Sequence, residues 1–210
     1  MKLDIAKALI NKGCVKLQPQ NPFTYASGLK GPIYCDNRLI LSHVEFRDQI
    51  IEAFITTIRQ HQLDFDLIGG IATAGIPHAA MIADRIKAPM VYVRPKPKEH
   101  GKKNQVEGDY KANQSVILVE DLVNQGSSLS EAMMGVKDAG LVASCCLCIV
   151  DYQMQEASKR LKELSLNLFS LTDFEHIVEA ALELQFISAE GKKLLNDWHA
   201  DPKGWSNNLI

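Results

Sequence analysis

No stretch of the 210-residue chain approaches the roughly 20 consecutive apolar residues that a membrane-spanning helix needs. Charge of one sign is also lacking. With 23 Lys and Arg against 25 Asp and Glu the formal net charge is −2, which excludes a general polyanion binder and makes any basic site local. At 46% apolar residues the chain is not disordered either. The six histidines are scattered without metal-ligand spacing. Of five cysteines, Cys145, Cys146 and Cys148 fall in the run Leu141 to Val150, where alternation points neighbours to opposite faces and forbids one tetrahedral site. They read as small apolar residues of a strand in a reducing compartment, and no structural zinc or disulfide is expected. Met1-Lys2-Leu3-Asp4 has an acid where a signal sequence would begin its apolar core, so a cytoplasmic location is expected. No repeat, low-complexity tract, linker, helix-turn-helix signal or nucleic-acid patch beyond one basic segment is present, so neither nucleic acid nor membrane is an expected partner.

What the chain does have is an apolar run that meets two acids and a small polar turn: Val116-Ile117-Leu118-Val119-Glu120-Asp121-Leu122-Val123-Asn124-Gln125-Gly126-Ser127-Ser128. The run reads as a strand buried on both faces, and Leu129 to Ala139 as a helix. Glu120 and Asp121 then sit where the strand ends, at the edge where open α/β sheets bind ligands. A helix N-terminus offers N–H groups and positive dipole to an anion, so Asn124 to Ser128 can cradle a phosphate. Carboxylates beside a phosphate repel it unless they do what a phosphate cannot, such as accepting hydrogen bonds from a cis-diol or holding a metal. Together these suggest a grip on ribose 5-phosphate. The bland alternative is a helix cap preceded by two solvated acids.

Elsewhere, Ile5 to Val15 has helical spacing, and residues 23–38, FTYASGLKGPIYCDNR, read as short strands packed over something. Ser42 with Glu45 makes a capping box for a helix whose stripe is Val44, Ile51, Phe54, Ile55 and Ile58. Asp66 to Ile71 is an apolar strand carrying Gly69 and Gly70, followed by the turn Ala72-Thr73-Ala74-Gly75-Ile76-Pro77 and a helix to about Ile86. This repeats the strand, small turn, helix order, so both turns belong on one edge of one sheet. Tight strand-to-helix packing equally demands these glycines. Pro89 to Arg94 and Ser144 to Asp151 are further strands; Thr172 with Glu175 caps a helix, and another starts at Ser188 with Leu194, Leu195 and Trp198 inward.

Residues 94–108, RPKPKEHGKKNQVEG, hold basic residues, one histidine and two acids without apolar periodicity, and read as a mobile loop. Such a loop is a solvated surface or a cover over phosphates, and the phosphate turn favours the cover.

VILVEDLVNQGSS resembles the phosphoribosyl pyrophosphate (PRPP) signature of type I phosphoribosyltransferases. Within that group FTYASGLKGPIYCDNR, IATAGIPHAA and RPKPKEHGKKNQVEG resemble the orotate phosphoribosyltransferases, especially the Gram-positive branch. The resemblance implies an α/β fold of the type I phosphoribosyltransferase class: a mostly parallel central sheet flanked by helices, a small N-terminal hood largely from residues 1–40, and a flexible basic loop at about 95–108, all in one domain, 1–210. It implies transfer of ribose 5-phosphate from PRPP to orotate, giving orotidine 5'-monophosphate and pyrophosphate in pyrimidine synthesis, with Mg²⁺ carried by PRPP and no metal ligated directly by the protein. A homodimer with shared active sites follows, the loop of one subunit over the site of the other.

Carried over by position, PRPP falls to Arg94, Lys98, His100, Glu120, Asp121, Leu122, Val123, Asn124, Gln125, Gly126, Ser127 and Ser128, with Lys98, His100 and Asp121 catalytic. Ala72, Thr73, Ala74 and Gly75 line the pyrophosphate side; Asn124, Ser27, Gly28 and Lys30 the orotate side. The chain departs from enterobacterial members in having Pro95 directly after Arg94, Ala26 and Tyr152 where those members hold orotate with a lysine and an arginine, and Asn124-Gln125 where two hydroxyl residues are usual. Lys30 and Arg38 are candidates for the orotate carboxylate on charge alone. Three functions stay open: this enzyme, a transferase for another base, or a PRPP-sensing regulator without turnover.

Overall fold

The computed structural model describes residues 1–96 and 104–208, which form two compact units: Met1–Ile40 with Thr172–Ile210, and Leu41–Leu171. In chain order the elements are α1 (Lys2–Asn11), β1 (Val15–Leu17), β2 (Phe23–Thr24), β3 (Lys30–Gly31), β4 (Ile33–Cys35), a 3-10 turn (Asn37–Ser42), α2 (Val44–Gln60), β5 (Leu67–Ile71), α3 (Gly75–Ile86), β6 (Met90–Val93), β7 (Val106–Glu107), β8 (Ser115–Val123), α4 (Ser127–Asp138), β9 (Val142–Asp151), α5 (Gln155–Glu163), β10 (Asn167–Asp173), α6 (Phe174–Glu183), α7 (Ala189–Ala200) and α8 (Pro202–Asn207).

The second unit is organised by a six-stranded sheet of order β10-β9-β8-β5-β6-β7. β9, β8, β5 and β6 run parallel, and β7 closes the edge antiparallel to β6. β5 is buried along its whole length and β8 from Val116 to Glu120, the pattern of parallel strands with helices on both faces. Glycine at position 70 is what lets α3 lie on β5: a Cβ there would stand 2.8 Å from Ile76 Cα and 3.0 Å from Ala79 Cβ. Cys145, Cys146 and Cys148 fill both faces of β9 as free thiols.

Several local expectations need correction. α2 starts at Val44 with His43 as its cap and no capping side chain, because residues 37–42 close their own 3-10 turn and leave Ser42 inside it. Val44 is 58% exposed; the buried stripe begins at Phe46 and includes Ile50. Thr172 belongs to β10, and Asp173 is the cap of α6, accepting from the His176 N–H at 3.1 Å. A carboxylate wins that position because it also takes Lys2 Nζ at 2.9 Å. Ser188 does cap α7, accepting from the Gly191 N–H. The basic segment is not loop to its end: Val106 pairs with Val93 and Glu107 with Tyr92, and Gln105 and Val106 are buried. Residues 97–103, with Lys98 and His100, lie outside the described residues.

In the first unit β1 pairs with β4, and β2 and β3 form a hairpin, the short strands expected of residues 23–38. Its core includes Phe174, stacked on His199 at 4.3 Å and tilted against Trp198 at 5.9 Å.

Candidate active site

Three parallel strands of the sheet run in register to one edge. Gly70 of β5 pairs with Val119 of β8, and Ile71 with Val93 of β6, so Glu120, Ala72 and Arg94 follow at one edge. From β5 the chain passes through α3 to β6 on one side; from β8 it passes through α4 to β9 on the other. Adjacent strands whose connections diverge leave a crevice outside their carboxyl ends, and that is where doubly wound sheets bind ligands.

On the β8 side the acid pair lies inside the strand rather than after it, since pairing with β9 continues to Val123 opposite Asp151. Asn124, Gln125 and Gly126 then turn into α4. Gly126 takes the left-handed conformation (φ 73°) at the cap, which an L side chain adopts at a cost, and no side chain caps the helix. Asn124, Ser127 and Ser128 are exposed. On the β5 side the Ala72 N–H donates to Val93 O at 2.8 Å, and the Ala72–Thr73 peptide is cis. Gly75 presses on β8: any Cβ there would run into the Val119 carbonyl, one residue before Glu120. Arg94 stands beyond, its Nη1 3.7 Å from the Glu107 carboxylate. Acid pair, small turn and guanidinium thus succeed one another across the strand ends.

Residues 39–183 match the family described as Phosphoribosyl transferase domain. The orotate phosphoribosyltransferase of Coxiella burnetii is 42% identical over 202 residues, covering 96% of this chain and 97% of that one. That of Bacillus pumilus is 44% identical over 206 residues, covering 98% and 97%. The chain belongs to the orotate phosphoribosyltransferase family. Among solved structures, orotate phosphoribosyltransferase from Aeropyrum pernix aligns with a TM-score of 0.70 at 27% identity, over 83% of this chain and 97% of that one. The Mycobacterium tuberculosis enzyme in complex with PRPP aligns with a TM-score of 0.64 at 21% identity, over 84% and 98%, a likeness of fold. The sheet and its helices are the type I phosphoribosyltransferase fold.

Within that family site, Glu120 is the most perturbed acid. It is 6% exposed, and its carboxyl is pushed up to about 8, first by burial and then by the neighbouring charge of Asp121. The Asp121 N–H donates to Glu120 Oε1 at 3.0 Å. Burial and the adjoining carboxylate together favour the protonated form of Glu120, while Asp121 is half-exposed.

That arrangement has a stability signature. Folded Glu120 holds a proton that the unfolded chain gives up, so its contribution is fully present below the usual glutamate range and is lost as pH rises through about 8. Glu120→Gln keeps the shape and an acceptor for the Asp121 N–H but never ionises. Its melting temperature is expected to exceed the parent's by roughly 2–4 °C or more above pH 8, about 1 kcal/mol for a chain this long, with the two curves meeting near pH 5. A gap independent of pH in calorimetric scans would contradict the burial account.

The structure therefore brings together, in the second unit, the residues 72–75, Arg94, Glu120, Asp121 and the turn 124–128. Leu122 is half-buried and Val123 buried within β8, where they pair with Val150 and Asp151 of β9. Ser27, Gly28 and Lys30 belong to the first unit, on the β2–β3 hairpin, whose exposed tip places Gly28 at φ 84°. Of the two cations weighed for a carboxylate, Arg38 is held by Asp36 through two bonds, 2.6 and 2.9 Å. Sequence reasoning missed Gln105, whose buried amide bonds Arg94 O at 2.7 Å; a lone glutamine in a basic run carries no pattern that would reveal it.

Proposed function

We propose that the chain transfers ribose 5-phosphate from PRPP to orotate, releasing pyrophosphate and forming orotidine 5'-monophosphate. The observation that carries this reading is the acid pair on β8 set directly between the Gly126-opened helix and the Gly75 turn. The turn 124–128 takes the 5-phosphate, Glu120 and Asp121 accept from the ribose hydroxyls, and residues 72–75 with Arg94, Lys98 and His100 meet the pyrophosphate. Ser27, Gly28, Lys30 and Asn124 attend the base.

The chemistry is mostly electrostatic. Breaking the bond from ribose C1 to pyrophosphate builds positive charge on the sugar and negative charge on the leaving group. Asp121 favours the first, and Arg94, Lys98 and His100 the second; no covalent nucleophile is needed. No cluster of three or more His, Cys, Asp or Glu able to hold a metal occurs among the described residues, and Asp121, half-exposed, is the acid that would face a Mg²⁺ arriving on PRPP. When bound, that ion neutralises the leaving group.

We read the protein as a cytoplasmic homodimer with shared sites, a reading supported by the family resemblance and by buried free thiols; no helix among the described residues is long and apolar enough to cross a membrane. Mixing a Lys98→Ala subunit with an Asp121→Asn subunit is expected to regenerate a fraction of parental activity through hybrid sites. Absence of recovery despite subunit exchange, followed by mass spectrometry of the mixed dimer, would rule out the shared layout.

The function itself is tested by incubation with PRPP, Mg²⁺ and a panel of bases while pyrophosphate release is followed. Release with orotate and formation of orotidine 5'-monophosphate is the expected result. Release only with another base, or PRPP binding with none, overturns the reading in favour of a different transferase or a sensor.

A further inference from the structure

The basic segment leaves the sheet after β6 at Arg94 and returns to it at Gln105, and one side chain ties both points to the helix that opens at the phosphate turn. The Gln105 carbonyl accepts the Arg94 N–H at 2.8 Å. Its side-chain Nε2 donates to Arg94 O at 2.7 Å and to Glu131 O, in the second turn of α4, at 3.0 Å. A primary amide has two N–H donors, and both are used on carbonyls of different elements. The residue is 9% exposed, so these bonds are made away from water, where leaving either carbonyl without its donor is costly.

α4 is shaped to receive it. Gly135, an unfavourable choice inside a helix, faces the amide: a Cβ there would stand 2.6 Å from Gln105 Cδ and 2.8 Å from Oε1. Glycine in the helix and glutamine at the stem are thus two halves of one contact, and neither is accounted for by phosphate or ribose binding.

We propose that Gln105 is a positioning residue for the transfer reaction: it fixes Arg94 against α4, so that the cationic group facing the leaving pyrophosphate and the turn holding the 5-phosphate keep one spacing. This rests on the reading of Arg94 given under Proposed function. The two ends of PRPP are anchored on different elements, Arg94 after β6 and the turn between β8 and α4, and β5 separates β6 from β8 in the sheet. An error of about 1 Å between them misaligns the reacting bond, at a cost of up to about 10²-fold in rate.

The test uses Gln105→Met, which conserves volume and removes both donors, and Gly135→Ala, which leaves Gln105 in place and improves helix propensity while pushing the amide away. In assays with PRPP, Mg²⁺ and orotate, each is expected to lower kcat at least tenfold, with the stoichiometry of PRPP binding by calorimetry unchanged, so that misfolded protein does not explain the loss. In an Arg94→Ala background, Gln105→Met is expected to change the rate less than threefold, because the residue it positions is gone. Rates within threefold of the parent for both single variants, or losses from Gln105→Met and Arg94→Ala that multiply, overturn the proposal. If Gln105→Met does not fold, Gly135→Ala decides alone. A parent protein that releases no pyrophosphate with orotate fails the proposed function instead, and the same comparison is then made on the base it does use.

Discussion

Replacing Lys98 with Ala is expected to lower turnover by about 10² to 10³, with little change in PRPP affinity. The leaving pyrophosphate gains charge only as the C1 bond breaks, so a cation aimed at it acts more strongly on the transition state than on the ground state. Loss of one preorganised charge partner costs about 3–4 kcal/mol of activation energy, which is that range of rate. The chain is nearly neutral overall, so the cluster of basic residues from Arg94 to Lys103 is the local cationic charge its sequence offers to a leaving pyrophosphate. Steady-state pyrophosphate release decides the matter: a Lys98→Ala rate within a few-fold of the parent would remove that residue from the reaction. Lys98→Arg, which keeps charge but changes shape, is expected to recover part of the loss.

How much of this was readable in the chain follows from where each signal is local. Strand, acids, turn and helix from Val116 to Ala139 are contiguous, and buried parallel strands announce themselves by apolar runs, so β5, β8 and β9 were legible, as was the helix after Gly75. The boundaries were not. β8 runs on through Glu120 and Asp121 because its neighbour β9 offers backbone partners as far as Asp151, a fact of pairing that no window of β8 contains. The cap of α6 went to Asp173 rather than Thr172 because a distant lysine, Lys2, rewards a carboxylate there. α5 and β10 carry weak patterns, one helix with a single fully buried residue and one strand half-covered at its start, and tertiary context alone makes them regular.

The site divides along the same line. The placing of Glu120, Asp121 and Gly126 is legible, because the acids adjoin an apolar run and the left-handed turn calls for glycine. Gln105 and Gly135 are not, since their meaning is a contact between positions 30 apart in sequence that neither residue advertises. Gly75 could be read as tight packing or as a ligand turn, and the packing is what the structure shows: the glycine lets the turn lie on Val119, one residue before the acids.

The second large effect separates ribose binding from helix capping. Asp121→Asn is expected to weaken PRPP binding about tenfold and to lower kcat/KM by about 10² to 10³. Two terms oppose each other in the ground state. Removing the negative charge eases its repulsion of the 5-phosphate, worth about 0.5 kcal/mol per charge at ~8 Å in a water-like dielectric. It also replaces an ionised acceptor of ribose hydroxyls by an amide, and hydrogen bonds to charged groups contribute about 1.5–3 kcal/mol. The second term is the larger, so affinity falls. In the transition state the balance tips further, because the sugar becomes positive and a carboxylate beside it acts more strongly than an amide. The same substitution removes the charge that helps hold the Glu120 carboxyl up, so the protein without ligand is expected to melt higher at pH 8 even as it binds PRPP less. Titration calorimetry with PRPP and Mg²⁺ beside a melting curve reads both at once. Unchanged affinity would make the two acids a solvated prelude to α4 and nothing more.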